Sequence, residues 1–558
     1  MIGVAACAAQ LQAAPLSNPK VGAQPAQAPV LKKTLQGTVG SAGQAVRLEV
    51  QPGQVVQLRW EGAGLQLDLR DAQGQHVRRL AQDGKGVQTA MWLSQGPAHE
   101  QLWLSPSGKW APGGAALPYT LQVLNTWATQ GMDRPTPENT PMGQRLQALQ
   151  QALARGESSE AFWREVQAQG TPWVEPWGDE QLLVTFLWRD QGNQNVRLFG
   201  SPSGDHNPLR KLEGSDVWWT SVVMDPRARL SYALAPDVPK VANAVQQRRM
   251  ILTTLQRDPL NAHTFPADAA LHAVDRYQGR SALVLAQAPQ QPWVKARVHQ
   301  PQGTLQRHSV DSAILGNRRD VWTYVPAGRA PQALLVLFDA HAFVHDVPTP
   351  RILDNLIADG LLPNTAAVIV GNASPEARSA ELPPNPLFAR FMAEELMPWV
   401  QQQGLSQLAR RTVVAGSSYG GLVSSYLGLT HPELFGNVLS MSGSYWWAPK
   451  GEAAGWMQRA WQALPNPMPH VRFYLDAGTF ETSRAGREGI VETNRALGSI
   501  LRGRGLSVTQ REFMNGHDYL QWQGSLGCGL VALLAPERGR SASWGAACDG
   551  VTGAHQQD

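Results

Sequence analysis

Short runs in which apolar and polar residues alternate dominate residues 31 to about 126: AVRLEV, VVQLRW, LQLDLR, QLWLSP and YTLQVL, separated by glycine-rich turns. A period of two puts successive side chains on opposite faces of a strand, so this stretch predicts an antiparallel β-sandwich. After a proline-rich break at 133–141, MGQRLQALQQALARG and SEAFWREVQAQG carry helical spacing, with Ser158 or Ser159 available as an N-cap, so residues 127–170 read as a helical linker. Alternation returns over 171–307 in LLVTFLWRD, NVRLFGS, DVWWTSVV and LSYALAP and predicts a second, aromatic-rich sandwich, with MILTTLQRDPLNAHTF as a helical or irregular insert. From 308 to 558, opening with RDVWTYVPAG, the pattern changes to wholly apolar runs (ALLVLFDA, AAVIVG, TVVAG, VRFYLDAG, then VTQREFMNG) with helical segments between them. Strands that are apolar on both faces and alternate with helices belong to a parallel sheet covered on both sides. The expectation is a multidomain chain: two N-terminal all-β sandwich domains followed by an α/β domain, which binds ligands at the carboxyl ends of its strands.

Length and charge narrow the function. The 558 residues exceed what one hydrophobic core holds together. The 48 basic and 44 acidic residues leave a net charge of only +4, with no block of like charge that could track a nucleic-acid backbone. No apolar run is long enough to span a bilayer. The opening MIGVAACAAQLQAAPLSNP is small, apolar and uncharged, and runs into a Pro/Gln/Ala-rich linker that ends near Val30. Residues 1–30 therefore read as the remains of an export signal plus linker, which predicts a periplasmic or exported protein; a cytoplasmic protein with a floppy terminus is the alternative. VAAC resembles a lipoprotein box and offers Cys7 as a lipid-anchor site. Cys528 and Cys548, 20 residues apart around a Pro/Arg/Gly-rich loop, are expected to form a disulfide, against the alternative of two buried thiols. No CxxC or Cys/His cluster points to a metal, and no cofactor is expected.

Candidate chemistry centres on RTVVAGSSYGGLVSSYLGL, residues 411–429. Gly416-Ser417-Ser418-Tyr419-Gly420 fits G-x-S-x-G between an apolar strand and a helix, the setting in which an α/β-hydrolase lifts a serine to the rim of its sheet. Ser418 is the expected nucleophile, although a serine that merely fits a tight turn is the plainer reading. It needs a base later in the chain. Among the histidines after 418, His517 lies in a loop beyond a late strand, in VTQREFMNGHDYLQW, while His431, His470 and His555 do not. The acid should follow VRFYLDAGTFET: Glu481 from the loop is favoured over Asp476 at the strand end. The oxyanion hole should use the Tyr419 amide and that of His341, or less readily Ala340, after ALLVLFDAHAF.

These stretches resemble the enterochelin (enterobactin) esterases of the esterase D group over residues 170–535. The resemblance is carried by TFLWRD, GSDVWWT, RRMILTTLQRDPLNAHTF, LLVLFDAHAF, ARSAELPPN, RTVVAGSSYGGL, VLSMSGSYWW, LDAGTFE and NGHDYLQWQGSL. Residues 31–126 resemble the prepeptidase C-terminal-type sandwich. The resemblance implies Ser418 as nucleophile, His517 as base and Glu481 as acid, with Arg378 and Trp446 contacting substrate. Asp339-Ala340 stands where the family commonly has Asp-Gly. The implied substrate is a catecholate siderophore trilactone, free or ferric, with iron arriving only as part of it. Arginine suits phenolate oxygens and tryptophan suits ring faces, and Arg378, Arg484 and Arg487 are the arginines considered. A feruloyl or other aryl-carbohydrate esterase, and a non-catalytic siderophore-binding protein, are the alternatives.

Overall fold

The computed structural model describes residues 34–82, 88–96, 98–107, 115–200, 205–241, 243–267, 275–483 and 486–551. Cys7, with the rest of the export-like segment, and Arg484 lie outside the described residues. The chain forms two compact units, one comprising 34–199, 205–224 and 231–282, the other residue 200, 225–230 and 283–551, each over its described residues.

In the first unit, two antiparallel four-stranded sheets come from the alternating segment. One runs in the order Thr34–Val39, Leu117–Ala128, Gln54–Glu61, Gln88–Leu93; the other runs Gln44–Val46, Glu100–Pro106, Leu65–Asp71, His76–Gln82. Val56, Leu58 and Trp60 of the first sheet share one core with Leu65, Leu67 and Leu104 of the second, the outcome expected when every second side chain points inward. AVRLEV contributes a strand only over Gln44–Val46. Two helices follow, Gln144–Ala154 and Glu160–Gln169, and their apolar stripes pack Leu146, Leu149, Phe162 and Trp163 with Trp219 and Leu187. Further sheets of four and five strands complete the unit, and Phe186 and Tyr232 meet edge to face between them at 4.8 Å.

The second unit is built on one eight-stranded sheet: β1 Thr304–Ser312, β2 Asn317–Val325, β3 Ala333–Phe338, β4 Thr365–Val370, β5 Thr412–Ser417, β6 Asn437–Met441, β7 Arg472–Gly478 and β8 Ser507–Phe513. Their spatial order is 1-2-4-3-5-6-7-8. The β1–β2 and β2–β4 pairs are antiparallel, and every pair from β4 to β8 is parallel. Residues of β3 through β6 are buried throughout, which explains the wholly apolar β3 and the mainly apolar β4 and β5, while β6 buries Asn437 and Ser440 as well. Cys528 and Cys548 form the expected disulfide and join the helix Tyr519–Leu534 to the helix Ala542–Cys548. Among the described residues, no helix is long and apolar enough to cross a membrane.

Candidate active site

Three neighbouring strands end in a non-glycine residue with positive φ: Asp339 (60°) after β3, Ser418 (58°) after β5 and Ser442 (48°) after β6. L-residues avoid this region, so the surrounding contacts must hold each one there. At Ser418 they do. Its amide donates to the Met441 carbonyl at 2.9 Å, and its carbonyl accepts from the Leu422 amide at 3.0 Å and the Ser444 amide at 3.1 Å. The turn also closes on its glycines. A Cβ on Gly416 would lie 2.5 Å from the Gly420 carbonyl carbon, and one on Gly421 would lie 2.5 Å from Ser440 Oγ. Ser418 thus sits on a sharp strand-to-helix bend ahead of the helix Tyr419–Thr430, as the pentapeptide predicts.

The expected base and acid, His517 and Glu481, meet each other. Glu481, three residues beyond the end of β7, brings Oε1 to 2.5 Å from His517 Nδ1, and its Oε2 accepts from the Gly478 amide at 2.8 Å and from Ser442 Oγ at 2.6 Å. Asp476 lies earlier, within β7, and is buried, with Oδ1 3.3 Å from the Ser442 amide. Burial pushes its carboxyl up to about 7, and the charge of Glu481 pushes the same way. The two carboxylates have therefore separated in role: one faces the imidazole and one supports the turn after β6.

Ser418 and the Glu481–His517 pair share the turn 441–444: the serine bonds to Met441 and Ser444, the glutamate to Ser442. Ser418 Oγ lies 3.3 Å from Ser444 Oγ, and His517 Nε2 is buried without a hydrogen-bond partner. The two reacting atoms are therefore not bonded to each other here. Such bonds commonly tighten only when substrate is present.

The remaining expected residues are placed as follows. Tyr419 opens the elbow helix, where a backbone N–H has no intrahelical acceptor. The Asp339 carbonyl takes the amides of Ala342 and Phe343, so Ala340 and His341 supply the leading amides of that turn; Ala340 is buried and His341 exposed. Trp446 is half-buried beside the Tyr419 ring, centroids 6.1 Å apart. Arg378 is buried, and its Nε and one terminal nitrogen grip both oxygens of Asp339 at 2.6 and 2.7 Å, with Asn372 donating to the same carboxylate at 2.7 Å. That edge of the guanidinium is committed to the protein rather than to a bound anion. Arg487 is exposed, ahead of the helix Ile490–Gly503. The sequence assigns no role to Ser442, Asn372 or Trp522, although Ser442 and Trp522 lie in two of the stretches that carry the resemblance, VLSMSGSYWW and NGHDYLQWQGSL.

The enterochelin esterase N-terminal family matches residues 183–294, and the Esterase family matches residues 312–533. An iron(III) enterobactin esterase of Escherichia coli strain K12 is 31% identical over 405 residues, covering 68% of this chain and 97% of that protein. The chain belongs to the enterochelin esterase family. Membership makes it a carboxylic ester hydrolase, as its sequence led us to expect. An iron(III) enterobactin esterase of Dickeya dadantii is 30% identical over 419 residues, 69% of this chain and 95% of that one. The crystal structure of an enterobactin esterase from Shigella flexneri in the presence of enterobactin matches with a TM-score of 0.55 at 30% identity, covering 68% of this chain and 99% of that chain. A ferric enterobactin esterase from Salmonella typhimurium gives 0.56 at 29% identity, over 68% and 100%. Residues ahead of 183 lie outside both family matches.

Proposed function

We propose that the enzyme hydrolyses the trilactone ester bonds of a catecholate siderophore of the enterobactin type, free or ferric. The observation that carries this is the Glu481–His517 pair, which shares the 441–444 turn with a serine held at φ 58° in a chain of this family. Ser418 Oγ attacks the ester carbonyl as His517 Nε2 accepts its proton. The tetrahedral oxyanion collects the amides of Tyr419 and His341, and collapse expels the seryl alkoxide, which takes the proton back from His517. Water then repeats the sequence on the acyl-enzyme. Glu481, rather than Asp476, orients the imidazole and stabilises its charged form. Trp446 offers a ring face to a catechol, and Arg378 serves the site through Asp339. Cutting the trilactone turns one hexadentate ligand into separate weaker ones, so iron, a component of the substrate, becomes easier to remove.

The reading extends to organisation. We read residues 31–126 as an accessory sandwich, 127–170 as its linker, 171–307 as the family's N-terminal sandwich and 308–558 as the catalytic domain, whose sheet also takes in the first residues of β1, Thr304–Ser312. The export-like start and the disulfide support a periplasmic enzyme. The test is to incubate the full chain and its Ser418→Ala variant with enterobactin and with ferric enterobactin, and to follow linear trimer, dimer and monomer by mass spectrometry. Products with the parent and none with the variant are expected. Tight siderophore retention without turnover by either protein would replace hydrolysis with carriage.

A further inference from the structure

Two side chains outside the triad each touch one of its supporting members, Ser442 the acid and Trp522 the base, and touch each other. Trp522 Nε1 donates to Ser442 Oγ at 3.1 Å, and Ser442 Oγ donates to Glu481 Oε2 at 2.6 Å. Glu481 Oε1 meets His517 Nδ1 at 2.5 Å, and the His517 ring stands at 86° to the Trp522 ring with centroids 4.7 Å apart. The four side chains close into a ring.

The polarity of that ring follows from donor chemistry. An indole N–H can only donate, so Ser442 Oγ accepts from Trp522 and its single proton is directed to the carboxylate. Glu481 Oε2 then faces two donors, the Ser442 hydroxyl and the Gly478 amide, and Oε1 is left to accept the Nδ1 proton of His517. With Nδ1 protonated, the lone pair of neutral imidazole lies on Nε2, the atom a general base needs. The edge-to-face indole fixes the plane of the ring. Ser442 is itself held at φ 48°, its amide donating to the Asp476 carbonyl at 2.9 Å. A strained residue at this point places a hydroxyl between an indole on the helix Tyr519–Leu534 and a carboxylate in the loop after β7.

We propose that Ser442 and Trp522 are positioning residues that set the orientation of Glu481 and the tautomer of His517; this rests on the triad reading above. The test uses the full chain as wild type, Ser442→Ala, Trp522→Phe, the double variant and Ser418→Ala, with kcat, KM and the pH profile of kcat/KM measured on an uncharged aryl ester. Each single variant should lower kcat about 10- to 100-fold, as expected for loss of a hydrogen bond to a charged group, with KM within about twofold. The pH profile of kcat/KM should shift, because both variants alter the hold of the carboxylate on the imidazole. The double variant should resemble the worse single one, since both break the same link. A kcat within about threefold of wild type, an unmoved pH profile, or losses that multiply in the double variant would overturn the proposal and leave the pair a packing feature. If Trp522→Phe does not fold, Ser442→Ala decides the question by the same criteria. Full activity in Ser418→Ala would instead overturn the triad reading on which the proposal rests.

Discussion

Replacing Arg378 by alanine separates two roles that the residue could play. The side chains of Arg378 and Asp339 are each 6% exposed and joined by two short charge-assisted bonds. Removing one partner of such a pair leaves an uncompensated buried charge and typically costs about 3–5 kcal/mol. Asn372 still donates one bond to Asp339 Oδ1, so the lower end, about 3 kcal/mol, is expected. With a urea m-value near 3 kcal/mol/M, that moves the unfolding midpoint of this unit down by about 1 M. Asp339→Asn should destabilise in the same direction, because it strands the guanidinium instead. Activity should fall alike on an uncharged aryl ester and on a ferric catecholate, because Asp339 leads directly into the amides of Ala340 and His341. The assay is urea denaturation together with steady-state kinetics on both substrates. An unchanged midpoint with a KM raised only for the ferric siderophore would refute the reasoning and make Arg378 a substrate contact.

Further predictions concern the carboxylates and the disulfide. Glu481→Gln should lower kcat by a factor on the order of 10³–10⁴, because a carboxamide no longer fixes the productive tautomer, whereas Asp476→Asn should cost less than about tenfold in the same assay. Asp476 has its folded pKa raised to about 7, so its contribution to stability is fully present below the ordinary aspartate range and is lost as pH rises to about 7. Melting temperatures between pH 4 and 8 should therefore fall less steeply for Asp476→Asn than for wild type, and equal slopes would count against the buried acid. Reducing Cys528–Cys548, which closes a loop of 20 residues, should cost about 3 kcal/mol, read as a shift in denaturation midpoint with and without reductant.

The fold was readable wherever burial imposed a simple period. β3, β4, β5 and β7 emerged as apolar runs because both their faces are covered, and Gln54–Glu61 and Leu65–Asp71 emerged as alternations because one face is. β6 escaped notice because NVLSM carries Asn437 and Ser440, both fully buried. Their partners lie elsewhere in the chain: Asn437 donates to the Thr412 carbonyl at 3.0 Å, and Ser440 Oγ accepts from Tyr445. β1 was missed because TLQRHSVDS lies at the sheet edge and is mostly exposed. At the site, the elbow was legible from its glycines and the base from its loop. Glu481 was favoured over Asp476 from its place in the loop, and it is Glu481 that meets the imidazole, but the part Asp476 plays under the turn after β6 was not legible. Nor could sequence spacing reveal that Arg378 spends its fork on Asp339, 39 residues away.

The most direct test of the central claim is covalent labelling of the full chain with a fluorophosphonate, followed by peptide mapping. One adduct on Ser418 is expected, absent in Ser418→Ala and formed far more slowly in His517→Ala. Labelling of a different serine, or a rate indifferent to the loss of His517, would contradict the account.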